Sequence, residues 1–310
     1  MLFRSTLTIN IAGFQLQPAE FLKLFLTIYL GSFLGKWSNG GKRKWLILFP
    51  LFMCAYAVGL VVVGGDLGSA AIMLALFALI IVSTPLRKDI INSENKSDII
   101  LRKGMTALKY IAVIGLIGSI ILLKFGYKII PEDWLNKSQR LSRFIYTNPC
   151  DRYEEQTGYQ VCNGYIAIDN GGLFGVGAGK SIQKYLYLPE SHTDFIFPII
   201  VEEFGVIIGI IIILLYMVLT YLIFKVATNT YELSNSIICY GIGIYFMLHI
   251  FVNLGGVLGI IPLTGVPLPF LSYGGSSCLA TIGAFTAVQR IYVESQIEKK
   301  NREINKIVNN

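Results

Sequence analysis

The sequence predicts an all-α polytopic membrane protein, and three observations carry the prediction. The 310 residues are 54% hydrophobic with a mean hydropathy of +0.61, too apolar for a soluble domain, yet 15% are charged, too many for a bare anchor. Apolar runs of spanning length recur about seven times along the chain. The Lys and Arg residues behind the net charge of +7 gather at every second boundary between those runs, so their counter-charge is anionic lipid and not nucleic acid.

The runs fall at Phe21 to Leu34, Trp45 to Val63, Leu67 to Leu86, Tyr110 to Leu123, Phe195 to Phe224, Ile237 to Ile261 and Ser277 to Val293. Lys36, Lys42, Arg43 and Lys44 follow the first run. Arg87, Lys88, Lys96, Arg102 and Lys103 follow the third, Lys225 the fifth, and Arg290, Lys299, Lys300, Arg302 and Lys306 the last. The alternate connections, Gly64 to Asp66 and Leu254 to Leu271, carry no Lys or Arg. The positive-inside rule then puts the N-terminus outside and the C-terminus in the cytoplasm. A membrane domain over 1–293 and a cytoplasmic tail over 294–310 follow. The first residues lack a basic segment leading into a continuous apolar core, so the first span is expected to direct insertion.

Between the fourth and fifth runs lies a long extracellular loop, residues 124–193. Arg140 and Arg143 stand three apart in Gln139 to Pro149, where they either hold phosphates or meet lipid headgroups. The glycine-rich stretch up to Ser181 resembles a P-loop, but that motif anchored on Gly179, Lys180 and Ser181 needs glycine where Phe174 stands. Nucleotide binding is excluded. Cys150 and Cys162 are either a disulfide closing the loop from Asp151 to Val161 or two free thiols. Cys54, Cys239 and Cys278 fall in apolar segments and read as small core residues.

The chemistry concentrates between Leu188 and Gly205, where Glu190, His192, Asp194, Glu202 and Glu203 surround the start of an apolar helix punctuated by Pro198. Proline is tolerated in the first helical turn, so the helix should begin between Asp194 and Pro198. An ionised carboxylate at membrane depth needs a polar cavity or a partner. Glu20 and Lys23 form an i, i+3 pair that is either mutual neutralisation or part of a site. Asp66 sits between two spans as a lone acid and a candidate N-cap. The run from Asn253 to Ser277 holds Pro262, Pro267 and Pro269 among many glycines, too dense for a regular helix. Irregular backbone at membrane depth must line a cavity or be buried, so this run should border the same pocket as Asp194. No zinc spacing and no nucleophile elbow occur.

Q-P-A-E-F-L-K-L from Gln17, D-L-G-S-A from Asp66, I-A-I-D-N-G-G-L-F-G-V-G, K-S-I-Q-K-Y-L-Y-L-P-E-S-H-T-D-F-I-F, E-E-F-G and L-G-I-I-P-L-T-G-V-P-L-P-F-L-S-Y-G-G-S-S resemble, in order, the SEDS family of FtsW and RodA peptidoglycan glycosyltransferases. The wording is closer to the FtsW division branch. The resemblance implies polymerisation of lipid II at the outer face of the bacterial cytoplasmic membrane, beside a class B penicillin-binding protein and other division proteins. It implies Asp194 and Glu202 as catalytic residues. Glycosyl transfer needs a base for the acceptor hydroxyl and positive charge for the departing diphosphate. Asp194 suits the first role, and Arg140, Lys180 or Lys184 the second. Gln183, His192, Lys23, Ser272 and Tyr273 complete the expected substrate-binding set. Glu202 is expected to hold a cation, Lys23 or a metal. No D-x-D motif is present, so a divalent cation is left open and no other cofactor is expected.

The chain departs from the family pattern in three places. The motif that opens its first span belongs to the family's fourth helix, Leu7 and Thr8 replace an Arg-Trp pair, and Gly65 replaces the proline before D-L-G. A lipid II flippase or a non-catalytic scaffold would be compatible with the same motifs.

Overall fold

The computed structural model describes residues 9–11, 14–38, 48–85, 91–92, 95–129, 148–154, 156–189 and 191–308. A short antiparallel hairpin, β1 (Ile9–Ile11) and β2 (Phe14–Leu16), precedes the helices and is the one departure from an all-α description among these residues. The helices are α1 (Pro18–Ser38), α2 (Leu48–Val63), α3 (Leu67–Ser83), α4 (Lys96–Ile129), α5 (Gln156–Gly171), α6 (Gln183–Leu186), α7 (Ile196–Phe204), α8 (Val206–Asn229), α9 (Leu233–Val257) and α10 (Gly275–Val308). The chain forms two compact units, residues 1–116 with 220–246 and 275–310, and residues 117–219 with 247–274.

In the first unit α1 packs on α2, α3 and α10. Pro18 occupies its first helical position, Glu20 its first turn and Lys36 its last, an arrangement that suits both the free N–H groups and the macrodipole. Close approach to α9 depends on small residues. A Cβ at Gly31 would lie 2.5 Å from the Ile238 side chain, and one at Gly35 would lie 2.3 Å from the Ser234 hydroxyl. Asp66 caps α3 by accepting the Ser69 N–H at 2.9 Å and also accepts from Gln17 Nε2 at 3.2 Å. At the other end of α3, Lys109 Nζ donates to the carbonyls of Thr84 at 2.5 Å and Val82 at 3.1 Å, which satisfies orphan acceptors at the C-terminus.

In the second unit α5 lies against α7. Residues 124–193 are therefore partly helical: α4 runs on to Ile129, and α5 carries buried Val161, Cys162 and Ala167. The run expected to be a single span from Phe195 is divided. α7 ends at Phe204, Gly205 takes φ 88° and ψ 164°, and α8 starts at Val206. Gly205 makes the division because only glycine occupies that backbone region at low cost. Pro198 breaks nothing, since it is the third residue of α7. The run from Asn253 begins as the last turn of α9 and becomes irregular after Val257. Two described helices, α8 and α9, are long and apolar enough to cross a membrane.

Candidate active site

The approach to α7 is a turn over residues 191–195, held first by burial. Phe195 is fully buried among Val161, Leu188, Ile199, Val257 and Leu263. Burying a phenylalanine contributes about 2–3 kcal/mol. Gly164 on α5 makes room for the ring, since a Cβ there would lie 3.2 Å from it. Phe195 thereby places the preceding residue, Asp194, which is 9% exposed.

Hydrogen bonds from the irregular segment then fix the main chain of the turn. Asn253 Nδ2 donates to the Asp194 carbonyl at 2.9 Å and to the Val266 carbonyl at 2.8 Å. The Ser272 hydroxyl donates to the Thr193 carbonyl at 2.6 Å and accepts the Leu268 N–H at 2.7 Å. The Tyr273 N–H donates to the His192 carbonyl at 2.8 Å. The bonds that reach the turn use the carbonyls of His192, Thr193 and Asp194, while the Asp194 carboxylate accepts from the Thr193 hydroxyl at 3.1 Å. Gly265, at φ 71°, brings the irregular segment beside that carboxylate: a Cβ there would stand 3.6 Å from Asp194 Oδ2. Replacing Asn253 by alanine should cost about 1–3 kcal/mol of stability through the unpaired carbonyls. It should also slow strand synthesis by about 10- to 100-fold through misplacement of Asp194. Thermal midpoint and initial rate, measured on one preparation, check both.

At the far end of α7 the two glutamates have different surroundings. Glu202, 1% exposed, accepts from the Ser181 hydroxyl and from the Ile182 N–H at 3.3 Å. Glu203 receives Lys184 Nζ at 3.1 Å. The cation expected at Glu202 is therefore on its neighbour, and Lys23 is paired with Glu20 at 2.8 Å inside the first unit. The hydrogen bond that Lys184 donates to Glu203 raises the Lys184 pKa above the ordinary lysine value. A raised lysine pKa contributes stability that is fully present below the unfolded value of about 10.4 and is lost only as pH rises through the folded value, so this pair is constant across neutral pH.

The glycine-rich stretch closes this end of the helix. The N–H groups of Val176 and Gly177 donate to the Glu202 and Glu203 carbonyls at 2.9 and 3.0 Å, and the Val206 N–H donates to the Gly172 carbonyl at 2.9 Å. Glycine is needed for contact: a Cβ at Gly171 would lie 2.2 Å from the Val201 carbonyl, and one at Gly175 would lie 2.3 Å from the Glu203 carbonyl. These N–H groups cap a helix C-terminus and do not cradle phosphate. On α5, Cys162 is bonded to Cys150 of the 3₁₀ turn Pro149–Arg152, with Cα atoms 5.0 Å apart. In the oxidised protein, intact mass should rise on alkylation of these two thiols only after reduction; labelling of both before reduction would show that the bond does not form.

A family model described as "Cell cycle protein", FTSW_RODA_SPOVE, matches residues 6–297. The chain belongs to this family. A "Probable peptidoglycan glycosyltransferase FtsW" of Bacillus subtilis strain 168 is 33% identical over 302 residues, covering 95% of this chain and 69% of that protein. The protein of the same name from Enterococcus hirae is 33% identical over 301 residues, covering 96% and 70%. "Stage V sporulation protein E" of B. subtilis is 32% identical over 291 residues, covering 91% and 70%. Among solved structures, a chain from "a peptidoglycan synthase complex" shares the fold with a TM-score of 0.63 at 23% identity, over 95% of this chain and 78% of its own. The Thermus thermophilus rod shape determining protein RodA shares it with a TM-score of 0.53 at 24% identity, over 93% and 68%.

Within this FtsW-like frame the expected site residues separate. The second unit brings Asp194, His192, Ser272 and Tyr273 into one hydrogen-bonded turn. It gathers Glu202, Gln183 and Lys184 around Ser181, whose hydroxyl accepts the Lys184 N–H at 3.1 Å. The Ser272 hydroxyl is engaged with the main chain at Thr193 and Leu268. Tyr273 and Lys180 are exposed, and Gln183 is buried. Arg140 lies outside the described residues. Asn253 and Ser181 were missed as site residues. Asn253 was readable as the amide that opens the proline-rich run, whereas nothing in the sequence marks Ser181 as the partner of Glu202.

Proposed function

We propose that this protein is a peptidoglycan glycosyltransferase that polymerises lipid II, with Asp194 as the base for the acceptor hydroxyl. The observation that carries the reading is the Asp194 turn: a nearly buried carboxylate whose main chain is clamped by Asn253 and Ser272, in a chain of the FtsW/RodA family. In the transfer, the acceptor oxygen bonds to the anomeric carbon as the bond to the lipid diphosphate breaks. The acceptor proton passes to Asp194, and cationic groups meet the departing charge. Lys180 and Arg140 are assigned to that second role. Lys184 contributes through its pair with Glu203. Glu202 supports the site by holding Ser181 and the chain at Ile182 and so acts through position. Lys23, with Glu20, holds the interior of α1.

A class B penicillin-binding protein is proposed as the cross-linking partner, since a structural relative belongs to a synthase complex in which polymerization and crosslinking are coordinated. The membrane domain is assigned seven spans over 1–293, with the N-terminus outside and residues 294–310 in the cytoplasm, on the alternation of basic segments. A cysteine at Asn92 is then expected to be shielded from an impermeant thiol reagent in intact cells, and one at Gln156 to be labelled. The inverse pattern would reverse the orientation.

The experiment that tests the function is synthesis of glycan strands from labelled lipid II by the purified protein with its partner. Lipid II transfer across a bilayer without strand formation would instead mark a flippase.

A further inference from the structure

We propose that the tip of the glycine-rich segment, Leu173 and Phe174, is a lipid-binding wedge seated at the acyl-chain boundary of the bilayer. Leu173 is 63% exposed and Phe174 81% exposed. Single exposed apolar residues on a loop carry little meaning, but the place of this tip is fixed. The bond from the Val206 N–H to the Gly172 carbonyl, at 2.9 Å, ties it to the first turn of α8. Gly172 at φ 49° and Gly175 at φ 78° turn the chain out and back, leaving the two side chains between them projecting.

The occupant follows from continuity with α8. That helix has 24 residues and a mean hydropathy of 3.0, and only 22% of its most apolar window is buried, so its surface is made for lipid. At 1.5 Å per residue it spans about 36 Å, longer than a hydrocarbon core of about 30 Å, which puts its first turn at the boundary. Ile207, Ile210 and Ile211 are exposed in its first two turns. Leu173 and Phe174 extend that apolar surface at the level where interfacial side chains insert about 5–10 Å into the headgroup region. The same segment also caps the end of α7 at Glu202 and Glu203. The inference uses the membrane location of α8 and is independent of the role of Asp194.

The test is Phe174→Trp in the full-length protein, reconstituted in phosphatidylglycerol and phosphatidylethanolamine vesicles. Its emission is read as the difference from the parent, which cancels the three native tryptophans. Lipids brominated high on the acyl chain are expected to reduce the difference emission at least about twofold, as insertion to that depth requires, while aqueous acrylamide has little effect. Strong acrylamide quenching without bromolipid quenching would overturn the proposal by placing the tip in water. Resistance to both quenchers would overturn it in favour of a protein partner or a second copy. Leu173→Trp, read the same way, serves if Phe174→Trp fails to fold.

Discussion

Gly205→Ala is expected to dismantle the α7–α8 junction, whereas Gly172→Ala, in the loop that packs against that junction, is expected to be much milder. Both glycines have positive φ, 88° and 49°, so propensity alone does not distinguish them. Surroundings do. A Cβ at Gly205 would meet the Leu173 carbonyl at 2.2 Å, and its ψ of 164° belongs to a region open essentially to glycine alone. A Cβ at Gly172 would meet nothing within 4 Å, and its φ lies in the ordinary left-handed region. The first change should cost at least about 3 kcal/mol, by backbone strain together with displacement of the loop that caps Glu202 and Glu203. The second should cost about 1 kcal/mol. Thermal midpoints of the two variants in one detergent check this, with Gly205→Ala several degrees below Gly172→Ala. Equal midpoints would mean that the junction is not where the structure has it.

What the sequence showed and what it hid follow from the range of the forces involved. Helix existence was legible from apolar runs, and the cap at Asp66 was legible from its place before a span. Gly65 at φ 87° explains why a residue other than proline stands before D-L-G here, since proline is locked near −65°. The start of α7 near Pro198 was legible too, because proline in a first turn is a local rule. The break at Gly205 was hidden: an E-E-F-G-V-I-I string reads as continuous helix until the contact with Leu173 is known, and that contact is tertiary. The same holds for the glutamates. Their depth invited a cation at Glu202, but the side-chain directions given by α7 send Glu203 to Lys184 and Glu202 to Ser181. The link between the proline-rich run and the Asp194 turn was anticipated from the cost of irregular backbone at membrane depth. Its means, the Asn253 amide, the Ser272 hydroxyl and the Tyr273 N–H on three successive carbonyls, were not.

Asp194→Asn is expected to abolish polymerisation while leaving the protein folded. The turn is held by carbonyls of His192, Thr193 and Asp194 and by the burial of Phe195, and asparagine disturbs none of these. It is isosteric and can still accept from the Thr193 hydroxyl through its amide oxygen. What it loses is the capacity to take a proton. Removing a positioned general base typically costs about 10²–10⁴ in rate, or about 3–5 kcal/mol of transition-state stabilisation. Glu202→Gln should behave differently, lowering rate and thermal midpoint together, because Glu202 acts through the Ser181 contact. The decisive measurement is the initial rate of glycan-strand formation from saturating labelled lipid II by Asp194→Asn and wild type, each with the same partner and each checked for lipid II binding and thermal midpoint. A general-base role for Asp194 requires a rate at least about 10²-fold below wild type with binding and midpoint retained; strand synthesis near the wild-type rate would contradict that role.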